Sequence, residues 1–288
     1  MKSTVFHRLL ALLAVALAGV TASAQDDASP DPIRPVVSAY MFNIGGAKLV
    51  NTYLTPIKYS GVDFGFAYER MQAMKFNPER WVMRLEASID MNKTENPVRN
   101  AGMWRLVGDV SWGMTYRWRL PYGITVAAGG STGLDIGCMY NPRNGNNPVA
   151  VEAAWTVNAS GYATWQTKVW NLPVTLKYQT AIPVAGVFFS PDYGELFYEI
   201  YLGNHNGLAH FAWWGSYFRM DNLLTADIHF GATALRIGFR NDILSTKVNN
   251  IVTRAVTYSA VIGVAGEWMS LNPYKRPDSK ARVISALY

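Results

Sequence analysis

The sequence predicts an all-β protein: an antiparallel transmembrane β-barrel of about ten strands, with twelve as the alternative count, behind a cleaved signal peptide. Three observations carry this. Apolar and polar residues alternate with period two from Val36 to Met269. The alternating stretches reach or exceed the 9–11 residues that cross a bilayer as a tilted strand. The connections between them are alternately tight and long, as in bacterial barrels. Composition agrees, since 50% of residues are hydrophobic and 16% charged, yet beyond the leader no run approaches the roughly 20 apolar residues of a spanning helix.

Residues 1–24 read as an export signal. Lys2, His7 and Arg8 precede an apolar run over 9–20, and Ala22-Ser23-Ala24 forms a small-x-small cleavage site. The run is about half the length of a spanning helix. No cysteine follows the site, which excludes a lipoprotein anchor, and the single Cys138 allows no intramolecular disulfide. The net charge of +6 falls to +4 without Lys2 and Arg8. With no basic cluster, nothing points to nucleic acid.

Residues 25–35 read as a periplasmic segment, 36–270 as the barrel and 271–288 as a periplasmic tail. The strands are placed at roughly 36–44, 60–73, 80–91, 102–119, 122–139, 148–170, 172–184, 207–220, 223–240 and 250–270. Tight turns are read at Phe76-Asn77-Pro78, Leu120-Pro121-Tyr122, Trp170-Asn171 and Asp221-Asn222. Longer outer loops are read at 92–101, 139–147, 185–206 and 241–249. A phase change at 236–240 reads as a bulge, and 192–202 is the candidate for additional strands. Trp81, Trp118, Tyr122, Trp165, Trp170, Tyr217 and Trp268 gather near the tight turns, as a periplasmic aromatic girdle would.

Each strand presents a polar face to the interior. The charges expected there are Asp63, Glu69, Arg84, Glu86, Asp90, Arg105, Asp109, Arg117, Asp135, Glu152, Lys168, Lys177, Asp227, Arg236 and Glu267. Ten strands enclose a narrow tube, and isolated buried charges are costly, so these should pair. The narrow tube reads as a charged, largely filled lumen stabilised by ionic networks, with a small, weakly selective pore as the alternative.

For chemistry, a turn at Asp221-Asn222 would place Ser216 opposite Asp227, with His229 two residues along. The carboxylate rather than the imidazole would then neighbour the hydroxyl, the wrong order for a triad. Scattered His205 and His210, with one cysteine, give no metal-ligand spacing and no cofactor signature. The loop 185–206 is acidic and aromatic, with Asp192, Tyr193, Glu195, Glu199 and His205 as its candidate contact residues. It reads as an external cap or binding element.

The strings "NTYLTPIKYSG", "SPDYGELFYEIYLGN", "NLLTADIHFGATALRIGFRNDILSTKVNNIVTRAV" and "GVAGEWMSLNP" resemble an uncharacterised family of outer-membrane barrels from Bacteroidota, catalogued as a domain of unknown function. The resemblance implies location and fold, and no activity. Trp268 stands as the closing aromatic. The expectation is a monomeric, non-enzymatic envelope barrel, a narrow pore or a structural or binding protein, with a lipid hydrolase or acyltransferase using Ser216, His229 and Asp227 as the alternative. Its partners would be outer-membrane lipids, lipopolysaccharide and, during biogenesis, the barrel-assembly machinery.

Overall fold

A computed structural model describes residues 32–269 and 282–287. The export signal expected at 1–24 and the segment 270–281 lie outside the described residues. The elements are β1 (Val36–Asn51), β2 (Thr55–Ala73), β3 (Trp81–Glu95), β4 (Gly102–Leu120), β5 (Ile124–Tyr140), β6 (Val149–Val169), β7 (Leu172–Phe189), the helix α1 (Phe197–Tyr201), β8 (Ala209–Ala212), β9 (Tyr217–Phe230), β10 (Thr233–Val248) and β11 (Ile251–Trp268).

All pairings between the strands of the ring are antiparallel. β1 pairs with β11 from Val36↔Trp268 to Asn51↔Thr253, and β6 pairs with β7, so the sheet closes on itself. The short β8 and long β9 lie end to end along β7. They share one position in the wall, which makes this a closed barrel of ten staves. Closure removes sheet edges, the condition for strands to stand in lipid.

Period two sets the two faces. In β1, Ala39, Met41, Asn43, Ala47 and Leu49 are buried, whereas Tyr40, Phe42 and Ile44 are more than half exposed. Outward residues around the ring are Ile89, Val110, Trp155, Ile262 and their neighbours, an apolar belt in contact with surroundings rather than a core.

One end of the barrel carries connections at 74–80, 121–123, 170–171 and 231–232, here the turn end. The loop end carries 52–54, 96–101, 141–148, 190–208 and 249–250. Trp170 and Asn171 have φ of 47° and 68°, and Asn249 and Asn250 have 50° and 60°. Both pairs suit the two-residue turn that needs positive φ twice.

The expected turn at Asp221-Asn222 is corrected. β9 runs straight through it, and the chain reverses at Gly231-Ala232, where Gly231 has φ 73°. Asp221 is not a turn residue because its carboxylate pairs with Arg240, and Asn222 accepts from Tyr178 Oη and Thr180 Oγ1 on neighbouring β7. Moving the turn also removes the bulge expected at 236–240. Leu235, Ile237 and Phe239 face outward in an unbroken β10, with Arg236 and Arg240 inward. Tyr217 is likewise corrected, from the turn-end girdle to the loop end, where it is buried inside.

Two outer loops are shorter than expected. β1 and β2 extend to a three-residue turn at 52–54, and β10 and β11 to Asn249-Asn250. The segment 192–202 contributes α1 and turns rather than strands.

Candidate functional site

The interior is layered. At the loop end an apolar plug is formed by Leu49, Tyr53, Tyr59, Met103, Met139, Phe188, Tyr217, Leu244 and Ile251. At the turn end, Val37, Met71, Val82, Ala127 and Tyr162 close on Ala286 and Leu287. Between the plugs lies a belt of charge.

Nearest the turn end, Glu69 on β2 is held by Lys177 on β7 and by Arg236 on β10, the latter at 2.6 Å. β2 and β7 stand five positions apart in a ring of ten, so the Glu69–Lys177 pair spans the full width of the lumen. Arg236 also grips Asp227 with Nε and Nη2, both at 2.7 Å. The exposures of Arg236, Asp227 and Lys177 are 0%, 0% and 1%, so no water shell accompanies these charges.

In the middle, Arg240 bridges Asp90 and Asp221, each at 3.1 Å. Asp63 accepts from Asn43, Asn92 and Ser259. Gly65 makes room for this cluster, since a Cβ there would collide with the side chains of Asp90 and Asn43. Arg84 pairs with Glu86 at 2.7 Å, and Glu86 also accepts from Gln179.

Toward the loop end, Arg105 holds Glu152 in a two-pronged pair, with Nε–Oε1 at 2.9 Å and Nη2–Oε2 at 2.8 Å. Arg219 on β9 serves three carboxylates: Asp242 on β10, Asp109 on β4 and Asp135 on β5. The belt is therefore a cross-lumen network rather than a set of local neighbours. Three small chambers of about 50, 40 and 30 Å³ are strung through it. Each holds a few waters at most.

The other expected interior charges stand elsewhere. Lys168, near the turn end of β6, is exposed. Glu267 faces Val37 at the turn end. Arg117 is 2% exposed and donates to four backbone carbonyls, those of Pro78, Glu79, Ser285 and Ala286. It anchors the segment 282–287 in the turn-end mouth. Ile33 bridges Val283 in parallel, and Gln166 Nε2 donates to Leu287 O.

The loop 190–208 closes the other mouth. Glu195 is buried, and its carboxylate accepts from Asp192 N at 3.0 Å and Asn204 Nδ2 at 2.7 Å. Glu199 accepts from Leu196 N at the start of α1. Tyr53, in the β1–β2 turn, donates its hydroxyl to Glu195 O at 2.5 Å and stacks edge-on against Phe197. Tyr193 and His205 point to solvent.

Burial, reinforced by the charges of Glu195 and Glu199, pushes the Tyr53 hydroxyl up to about 12. The raised value favours the neutral, docked form. Its contribution is intact below pH 10, the unfolded value, and is lost as pH rises from 10 to 12. Tyr53→Phe should remove about 1 kcal/mol of docking energy. Limited proteolysis within 190–208 checks this: cleavage should accelerate in the variant at pH 8, and in the native chain only above pH 10.

The expected Ser216–Asp227 juxtaposition does not form. With the turn at 231–232, the two residues sit at opposite ends of β9, roughly 35 Å apart at the rise of a strand. Ser216 Oγ donates to Phe211 O in a local turn, while Asp227 is clasped by Arg236, and His229 contacts Thr175 Oγ1 at 2.9 Å. Among the described residues no group of His, Cys, Asp or Glu is arranged to hold a metal.

Sequence reasoning missed Arg219, Asp221 and Asp242, and left Arg240 outside the lumen. The signal that would have found them was present: Gly231 and the Asn249-Asn250 pair are the stronger hairpin markers.

Among solved structures, the chain is similar to the translocator domain of the autotransporter NalP from Neisseria meningitidis, at 9% identity and TM-score 0.37, covering 93% of this chain and 98% of that one. It is also similar to the transport unit of the autotransporter AIDA-I from Escherichia coli, at 8% identity and TM-score 0.34, covering 88% and 96%. A Pseudomonas aeruginosa FadL homologue matches at 6% identity and TM-score 0.30, covering 83% and 90%. No curated protein matches in sequence. A family model matches residues 8–275, and the chain belongs to that family, described as a protein of unknown function, DUF3316.

Proposed function

We propose that the protein is a monomeric, non-conducting barrel of the bacterial outer membrane, a structural or binding component of the envelope rather than a pore. The observation that carries this is the Glu69–Lys177–Arg236–Asp227 knot, which crosses the lumen at full width with no exposed charge. A conducting lumen would present these groups to a water column. Here each is met by another side chain, as burial of charge demands. Plugs at both mouths add to the closure.

The export signal read in residues 1–24, the outward apolar belt and the closed ring support the outer membrane as its site, with the turn end in the periplasm. The resemblance of its strand and loop strings supports a Bacteroidota source. Lipids and lipopolysaccharide would contact the belt, and the barrel-assembly machinery would insert it.

The test is solute flux. Proteoliposomes carrying the folded chain should swell in isotonic arabinose no faster than empty liposomes. Swelling that scales with protein content would overturn the closed reading in favour of a narrow pore.

A further inference from the structure

We propose that the wall has a lateral portal between β7 and the β8–β9 stave, through which the head of a single-chain amine amphiphile, held in the surrounding membrane, reaches the middle chamber. The proposal rests on the closed-lumen reading, because axial closure leaves the wall as the route.

Among the described residues, the ladder between neighbouring staves breaks between β7 and the β8–β9 stave. β7 pairs with β9 from Val174↔Ile228 to Ala181↔Asp221, and pairing resumes only at Gly186↔Ala212 of β8. Residues 182–185 have no ladder partner on that side. Pro183 lies within the gap and has no N–H to give. On the other side, the β6–β7 register slips at Val157/Asn158, which leaves Val184 as an extra residue.

Opposite the gap, the stave leaves the wall as a tight turn, with Ser216 N and Tyr217 N both donating to Trp213 O. Trp213 and Trp214 are 56% and 64% exposed on the outward side. The contact across the gap is a side-chain bond: Trp214 Nε1 donates to Pro183 O. A rotamer change can release such a bond, whereas a backbone ladder opens only with its strands.

Behind the gap lies the middle chamber, lined by Ala181 and Pro183 together with Asp109, Asp135, Gln179 and Arg219. Its chemistry selects a cation. Its lining carries Arg84 and Arg219 against Glu86, Asp109, Asp135 and Asp221, two positive charges against four negative ones, and Asp109 and Asp135 share Arg219 with Asp242. Gln179 is 5% exposed, and its Oε1 has no donor. Arg84 Nη1 lacks an acceptor in the same chamber, but its charge is already met by Glu86. An ammonium group offers three donors and one positive charge, and an alkyl tail would lie along Trp213 and Trp214 in the lipid.

The test uses the full-length barrel in phosphatidylcholine proteoliposomes, with Cys138→Ser as background and Ser131→Cys as the reporter, since Ser131 lines the chamber from β5. Thr156→Cys on β6 reports independently should the first variant fold poorly. Hexyl methanethiosulfonate, which partitions into lipid, should label the reporter, and the charged sulfonatoethyl reagent should not. Trp214→Phe should raise the hexyl rate about fivefold, the factor for one net hydrogen bond. Decylamine should slow labelling and decanoate should not, and Asp109→Asn should abolish the decylamine effect. No hexyl labelling of a folded barrel overturns the portal and leaves the closed lumen standing. Equal labelling by both reagents overturns both readings. Equal protection by decanoate overturns the amine assignment.

Discussion

Arg236→Ala should lower the stability of the barrel by about 3–5 kcal/mol, the cost of leaving buried charges without their partner. Arg236 is fully buried and is the shared partner of Asp227 and Glu69. Its loss takes the two-pronged clasp from Asp227, which sits at 0% exposure, and one of two ion-pair partners from Glu69. The control separates charge from packing. Replacing the pair together, Arg236→Met with Asp227→Leu, should recover most of the loss, because removing both members leaves Glu69–Lys177 intact and no orphan from the Arg236–Asp227 clasp. Urea unfolding in lipid vesicles, followed by tryptophan emission, reads both. A single variant within 1 kcal/mol of the native chain would mean that the knot is hydrated rather than buried.

Deleting 282–288 should open the turn-end mouth. Ile284, Ala286 and Leu287 are buried there, and Ser285 O and Ala286 O are acceptors for Arg117. A segment docked by about 3 kcal/mol is open in under about 1% of molecules, so its removal should raise water access roughly 100-fold. A cysteine at Val82, which is 0% exposed beside Leu287 in the turn-end plug, reports this through its rate of reaction with a charged thiosulfonate. Arg117→Met should shift the rate the same way by a smaller factor, since the apolar contacts of Leu287 persist. An unchanged rate in the deletion would show that the tail lies on the mouth without sealing it.

What was legible in the sequence follows from what period two encodes. Alternation fixes which residues of a strand face in, and it placed Arg84, Glu86, Arg105, Asp109, Asp135, Glu152 and Lys177 on the inner face from residue order alone. Alternation does not say where a strand ends when the next continues with the same polarity. Asp221-Asn222 looked like a turn because both residue types favour turns. In the barrel their side chains find partners across the wall instead, Arg240 for Asp221 and Tyr178 with Thr180 for Asn222.

That one misplacement hid half of the network. It put Arg219 on the wrong face and left Asp242 in a loop. Partner choice was also out of reach, because the lumen pairs join opposite staves such as β2 and β7, whose alignment depends on closure of the ring. The plugs were hidden for a related reason. The segment 282–287 has no periodicity, and its place is set by the carbonyls that Arg117 can reach.

The most direct test of a lumen filled by its own ion pairs is single-channel recording in planar bilayers, on the native chain and on the chain lacking 282–288. The charged belt lies inside both plugs and closes the lumen by itself, so neither protein should give stepwise conductance. Defined steps from the native chain would contradict the account outright. Steps from the deletion alone would show that the tail, and not the belt, holds the barrel shut.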